Sequence, residues 1–170
     1  MKRSGRTIKQ RLYGLKNLPT HLRRAQHFRG HGIHSPYVYD IVRKVFMQSE
    51  LVAPNHDLYD ALEARGIAQR RCTQLQNLVA HCKYSSWTID SEESCDLIVC
   101  SLATTFDHLA RYAEYARERG ATLCILAPYN NADRLRVCRT IVEGHRSTSI
   151  DNRAYLLVFN NHLPRQRFIL

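Results

Sequence analysis

Apolar positions recur along the chain with two different periods. After Ser35 and Pro36, residues Val38, Ile41, Val42, Val45 and Phe46 fall at i, i+3, i+4, i+7 and i+8, the stripe of a helix with one buried face. Ser35 supplies a capping hydroxyl and Pro36 a φ already suited to the first helical position, so a helix is expected to start there. Residues 56–65 and 68–82 also read as helices, with Gly66 between them. Further on, the pattern changes to short unbroken apolar runs. Asp96–Ser101 and Ala121–Ala127 are runs of the kind that a parallel sheet covers on both faces. Between and after them, Thr104–Arg119 reads as a helix opened by Thr104 and Asp107 and stopped by Gly120. Asn131–Glu143 reads as another, ended by Gly144. Ser147–Asp151 and Ala154–Asn160 read as two strands joined by a tight turn around Asp151–Arg153.

Ser86–Asp90 is a shorter strand candidate. Only Ser91–Cys95 separate it from the next strand, whereas a parallel crossover commonly takes a dozen residues or more. It is therefore expected to be an antiparallel edge strand, or no strand. The succession strand, helix, strand, helix, strand makes the fold class α/β. At 170 residues the chain has the size of one domain. The expected division is a basic helical arm with a His/Gly loop over 1–35, followed by one α/β domain over 36–170.

Charge changes this picture at one end. Residues 1–39 hold Lys2, Arg3, Arg6, Lys9, Arg11, Lys16, Arg23, Arg24 and Arg29 and no carboxylate. From residue 40 onward, sixteen basic residues face fifteen acidic ones, so most of the net charge of +10 belongs to the arm. Residues 6–29 read as one or two basic helices broken near Pro19. Two readings stand side by side: a solvated basic helix face, or a surface for nucleic acid or another polyanion carried by Arg3, Arg6, Lys9, Arg11, Arg23, Arg24 and Arg29. No apolar run approaches the length of a membrane span, and no apolar stretch follows the basic N-terminus as in a secretory signal. A cytoplasmic location without membrane contact is the expectation.

Cysteines 72, 82, 95, 100, 124 and 138 include no C-x-x-C pair, and several lie in apolar runs, as small core residues do. No metal is expected. His27, His31 and His34 cluster around two glycines, a pattern compatible with a ligand site but read first as a loop that packs on the domain and caps the helix after it. The ligand or partner candidates are His31, His34, Ser35 and Tyr37.

Two stretches carry a family likeness. Gly30-His-Gly-Ile-His-Ser-Pro-Tyr-Val-Tyr-Asp40 resembles the HGIHSPFVYD opening of a group of bacterial class I S-adenosylmethionine methyltransferase-like proteins. The half from Asp96 to Leu170, with Thr148–Arg153, Tyr155–Phe159 and Arg167–Leu170, is similar to the same group's closing strands and helices. The resemblance covers about two thirds of the chain. It implies a partial Rossmann-like, mostly parallel sheet with a C-terminal antiparallel hairpin at one edge, preceded by N-terminal helices. It also implies an ancestral S-adenosylmethionine site, and there the chain departs from the pattern. A glycine-rich turn lets backbone approach such a cofactor, yet no glycine occurs between Gly66 and Gly120. A strand–helix–strand segment before residue 90 is missing by comparison. Aspartates that end two of the family's strands fall on Ser101 and on Ala127 and Pro128, side chains unable to bind a metal or orient a nucleophile.

The resemblance thus implies a shortened, degenerate methyltransferase-like protein, expected to bind no cofactor and to act as a binding or partner protein. Two alternatives stay open: an active methyltransferase whose cofactor site is non-standard or completed by a partner, and a nucleic-acid-binding module using residues 1–29. Removal of the early strands bares the sheet edge beside Asp96–Ser101, an edge prone to pairing with a second copy. Ser86–Asp90, the N-terminal helices or a second subunit is expected to cover it.

Overall fold

The structure, a computed structural model, describes residues 33–170. The basic arm with Arg3, Arg6, Lys9, Arg11, Arg23, Arg24 and Arg29, and also His27 and His31, lies outside the described residues.

Helix α1, Pro36–Ile41, begins as its sequence dictates, with the Ser35 hydroxyl accepting the Val38 amide at 3.4 Å. The chain then winds more widely over Val42–Phe46, where bonds reach five residues back, as from the Met47 amide to Val42 O at 3.0 Å. All five stripe positions, Val38, Ile41, Val42, Val45 and Phe46, are buried. Helices α2, Asp57–Glu63, and α3, Gln69–Cys82, follow. Seven consecutive residues of α3, Cys72 to Leu78, are buried, so this helix is enclosed on all sides. Its polar members are admitted because they satisfy main chain. Gln74 donates to Phe46 O at 2.8 Å, Gln76 accepts from the Tyr59 amide at 3.0 Å, and Asn77 bonds both Glu50 O and the Val52 amide.

The remaining elements are β1, Trp87–Ile89; β2, Leu97–Cys100; α4, Phe106–Arg119; β3, Thr122–Leu126; α5, Ala132–Gly144; β4, Ser149–Asp151; β5, Tyr155–Phe159; and β6, Arg167–Ile169. They make an α/β fold around one six-stranded mixed sheet in the order β1-β2-β3-β5-β4-β6. β5 runs antiparallel to both its neighbours, and the other five strands share one direction. Alternation along the strands splits the core in two. Val99, Cys124, Tyr155 and Leu157 meet Val38, Leu58 and Leu75 on the α1–α3 side. Ile98, Cys100, Leu123 and Ile125 meet Leu109, Tyr112 and Cys138 on the α4–α5 side. Each such buried aliphatic side chain contributes roughly 1.5–3 kcal/mol.

Three expectations need correction. β1 pairs with β2 in parallel, with Trp87 opposite Leu97 and Ile89 opposite Val99. The dozen-residue rule assumes strands of ordinary length. Here the return path covers only three paired residues, roughly 10 Å at 3.3 Å each, well within reach of the seven-residue connection. Two aspartates hold the pair at its ends. At the amino ends, Asp96 accepts from the Ser85 amide and hydroxyl at 2.6 and 2.8 Å and from the Ser86 amide at 3.2 Å. Burial works against the charge on Asp96, but these bonds outweigh it and leave the carboxyl below its ordinary pKa. Asp90 performs the corresponding task at the carboxyl ends, as described below. So Ser86–Asp90 does cover the edge beside β2.

The second correction concerns the start of α4. Thr105, not Thr104, caps it by accepting the His108 amide at 3.4 Å, because the Thr104 hydroxyl is turned to Asp90. The third concerns the C-terminal hairpin. β4 and β5 pair as expected, and their turn is held by Asn152, whose side-chain oxygen accepts the Ala154 and Tyr155 amides. The hairpin is not the sheet edge, however. β6 adds in parallel outside β4, with Ser149 opposite Arg167.

Candidate functional site

In open α/β sheets, ligands bind where the strands deliver their carboxyl ends. At that edge β1 ends in Asp90, a residue with φ 57°, a conformation that aspartate tolerates better than most. Its main chain is fixed by the bond from its own amide to Val99 O at 2.9 Å and by the Tyr112 hydroxyl on its carbonyl at 2.8 Å. Its carboxylate accepts the Ser101 amide at 2.7 Å, the Ser101 hydroxyl at 2.6 Å and the Thr104 hydroxyl. Ser101 and Thr104 are both buried.

Beside this cluster stands Arg134, from the first turn of α5, only 2 % exposed. Its guanidinium caps main-chain carbonyls at the ends of two strands. Nε and Nη2 donate to Leu126 O at 3.1 and 2.9 Å, Nη2 donates to Ser101 O at 2.8 Å, and Nη1 reaches Thr104 O at 3.4 Å. Burial lowers its pKa from the ordinary value. Outside this plug remains a cavity of about 300 Å³ bordered by Leu102, Thr104, Phe106, Asn130, Asn131 and Arg134.

The chemistry open to this edge is limited. The Ser101 hydroxyl points its proton at a carboxylate that already accepts two other bonds, and no histidine belongs to the network to activate it. Ala127, which follows β3, has φ 47° and gives its amide to Ala154 O at 2.7 Å, and Pro128 is buried. Neither offers a polar side chain. The residues do not fit S-adenosylmethionine. The turn after β1 has no glycine, and the acid there spends its oxygens on the protein itself.

The ligand candidates lie elsewhere. His34 is exposed. Ser35 is spent on capping α1. The Tyr37 ring meets Phe159 edge-on at 5.4 Å, and its hydroxyl lies 3.7 Å from Cys82 Sγ. Burial, reinforced by Cys82, pushes the Tyr37 phenol well above its ordinary range. Phe159 closes β5 at the amino edge of the sheet, opposite the Asp90 cluster. The structure therefore does not bring Ser35 and Tyr37 together with Ser101, Ala127 and Pro128. Two residues of the carboxyl edge escaped the sequence reading, Asp90 and Arg134. An acid closing a strand was a usable signal for Asp90; an arginine one turn into a helix was none for Arg134.

All six cysteines are free, with Cys72, Cys100, Cys124 and Cys138 buried, and burial raises the pKa of each. Among the described residues no helix is long and apolar enough to cross a membrane. Compared with protein-family models, curated proteins and solved structures, the chain matches none of them.

Proposed function

We propose that the chain is a degenerate, partial Rossmann-like relative of the class I methyltransferases that has ceased to bind S-adenosylmethionine and serves as a binding or partner protein. The observation that carries this reading is the filled carboxyl edge. Asp90 stands where β1 would offer an acid to a ligand, but Ser101 and Thr104 occupy its oxygens. Arg134 occupies the carbonyls at the ends of β2 and β3. A cofactor would have to break these bonds, each of which contributes about 1.5–3 kcal/mol where a charged group takes part.

Two features favour the ancestry within the α/β class. β1, β2 and β3 are parallel with helices over both faces, and an antiparallel β5 is inserted between β3 and β4. That is the arrangement the resembling sequences imply once early strands are removed.

Isothermal titration with S-adenosylmethionine and S-adenosylhomocysteine tests the reading. The expected result is no heat and no thermal shift at millimolar ligand. Binding in the micromolar range would overturn it and restore the enzyme.

A further inference from the structure

Charge within the folded body is strongly divided. Residues 40–133 carry nine basic and thirteen acidic side chains, whereas residues 134–170 carry seven arginines and two carboxylates. Arg134 is buried, but Arg136, Arg139, Arg146, Arg153, Arg165 and Arg167 are exposed. Folding gathers four of these with Arg117 into one band. Arg117 and Arg146 border a depression of about 430 Å³ at the amino edge, together with His145, Asn160 and Asn161. Arg165 donates to Glu143 O at 2.7 Å and Arg167 to Val142 O at 2.9 Å, so both guanidiniums lie across the last turn of α5. Arg167 and Arg139 then face each other across a groove of about 290 Å³ between α5 and the β4–β6 pair, with Leu135, Cys138 and Val142 along the helix side.

The two capping arginines have a plain structural use, since they answer the partial negative charge at a helix C-terminus. That use takes one N–H of the five on each guanidinium and leaves the rest for another acceptor. Arg139 and Arg146 make no hydrogen bond to the described residues, so structure does not account for them. The acids nearby are fewer. Glu114 pairs with Arg117, and Glu143 and Asp151 border the groove. The field is positive enough to be felt at His145, where Arg165 and Arg117 add to burial in lowering the pKa.

We propose that this band, running from Arg117 and Arg146 past Arg165 and Arg167 to Arg139, holds the sugar–phosphate backbone of a single-stranded nucleic acid. Guanidinium forks suit phosphate oxygens, and a recess with apolar walls suits an unpaired strand, whose bases need a place to lie. A duplex would call for a protruding helix or ribbon to enter its groove, which this recess is not. The band runs from the amino edge along α5 and uses neither Asp90 nor Arg134, so it does not depend on the fate of that cluster.

The test uses the full chain and a fluorescein-labelled oligouridylate, read by fluorescence anisotropy over a series of salt concentrations. The variant Arg139→Gln/Arg146→Gln touches no hydrogen bond of the fold and is checked by its unchanged melting curve. Each phosphate contact contributes about 0.7 to the slope of log K against log salt for a single strand, so the variant is expected to lose about 1.4 of slope and at least tenfold in affinity at low salt. A second variant, Arg23→Gln/Arg24→Gln, reads the contribution of the arm by the same measurement and is expected to leave the body's share in place. The proposal is overturned if the oligouridylate does not bind at low salt. It is overturned equally if Arg139→Gln/Arg146→Gln retains the parent affinity and slope.

Discussion

Replacing Asp90 tests whether a carboxylate can hold together a strand pair joined by so short a connection. Its side chain accepts three bonds from Ser101 and Thr104. Bonds to a charged acceptor contribute about 1.5–3 kcal/mol each when taken singly, and shared geometry makes them less than additive, so Asp90→Gly is expected to cost about 3 kcal/mol. Glycine accepts the φ of 57° without strain, which isolates the loss of the carboxylate. Asp90→Ala removes the same bonds and adds a left-handed conformation that costs alanine about 1 kcal/mol. Asp90→Asn keeps the conformational tolerance and one acceptor oxygen, and about 1–2 kcal/mol is expected for it.

Urea unfolding measures the series. With a slope of about 2 kcal/mol per molar, Asp90→Gly lowers the midpoint by about 1.5 M and Asp90→Ala by about 2 M. Native-state hydrogen exchange adds the spatial readout: the amides of Trp87–Ile89 should lose protection before those of Thr122–Leu126, which pair on both sides. The size of the Asp90→Gly loss is the decisive part, and the further loss in Asp90→Ala reports the left-handed backbone. If Asp90→Gly costs less than about 1 kcal/mol, below what one such bond contributes, the carboxylate is not what holds β1, and the account of the parallel pair fails with it.

Two further outcomes follow from the same structure. Ala127 has φ 47°, so Ala127→Gly is expected to stabilise the protein by about 0.5–1 kcal/mol, seen as a raised urea midpoint; a loss of stability would show that the left-handed backbone carries no strain there. His81 and His145 are both pushed below the ordinary histidine pKa of 6.5, chiefly by burial, and neutral His145 donates to Phe159 O at 3.1 Å. The unfolded chain therefore binds more protons than the native one just below pH 6.5, so stability is complete above that value and declines as pH falls through it. His145→Gln should flatten that decline, and an unchanged pH profile would dismiss its part.

The elements that were legible in the sequence are those whose signal is local and repeated. The stripe from Val38 to Phe46 could only be a one-sided helix, and its wider winding after Ile41 left the same residues buried. The apolar runs around β2, β3 and β5 could only be enclosed strands. What was not legible depends on contacts between distant segments. The direction of β1 turns on Asp96 meeting Ser85 and on Asp90 meeting Ser101. β6 has three residues, one of them arginine, and is a strand because β4 offers it a free edge. Gln74, Gln76 and Asn77 are polar residues inside α3, and their burial is explained only by the main-chain groups they reach. Arg134 is the extreme case. An arginine in a first helical turn is usually solvated, and nothing in the sequence announces that four strand-end and loop carbonyls await it.

The carboxyl edge also bears on three positions that carry no acid, 101, 127 and 128. Taken along the sequence, serine at 101, alanine at 127 and proline at 128 look like separate losses from an acidic site. In the fold the first is tied to Asp90. An aspartate at 101 would bring a second carboxylate to the place where the Ser101 hydroxyl now donates at 2.6 Å. Two carboxylates that close cannot both ionise, and one would be held protonated or the strands pushed apart. Serine removes that repulsion and turns the contact into a bond. A single carboxylate on β1 and a hydroxyl on β2 therefore form one unit, with the acid on the neighbouring strand. Thr104 also belongs to this unit, α4 starts at Thr105, and Arg134 closes over the carbonyls of Ser101 and Leu126. In each of these contacts a group at the carboxyl edge is satisfied within the protein. Such an edge holds β1 to β2 and ties α5 to the ends of β2 and β3 through groups that satisfy one another.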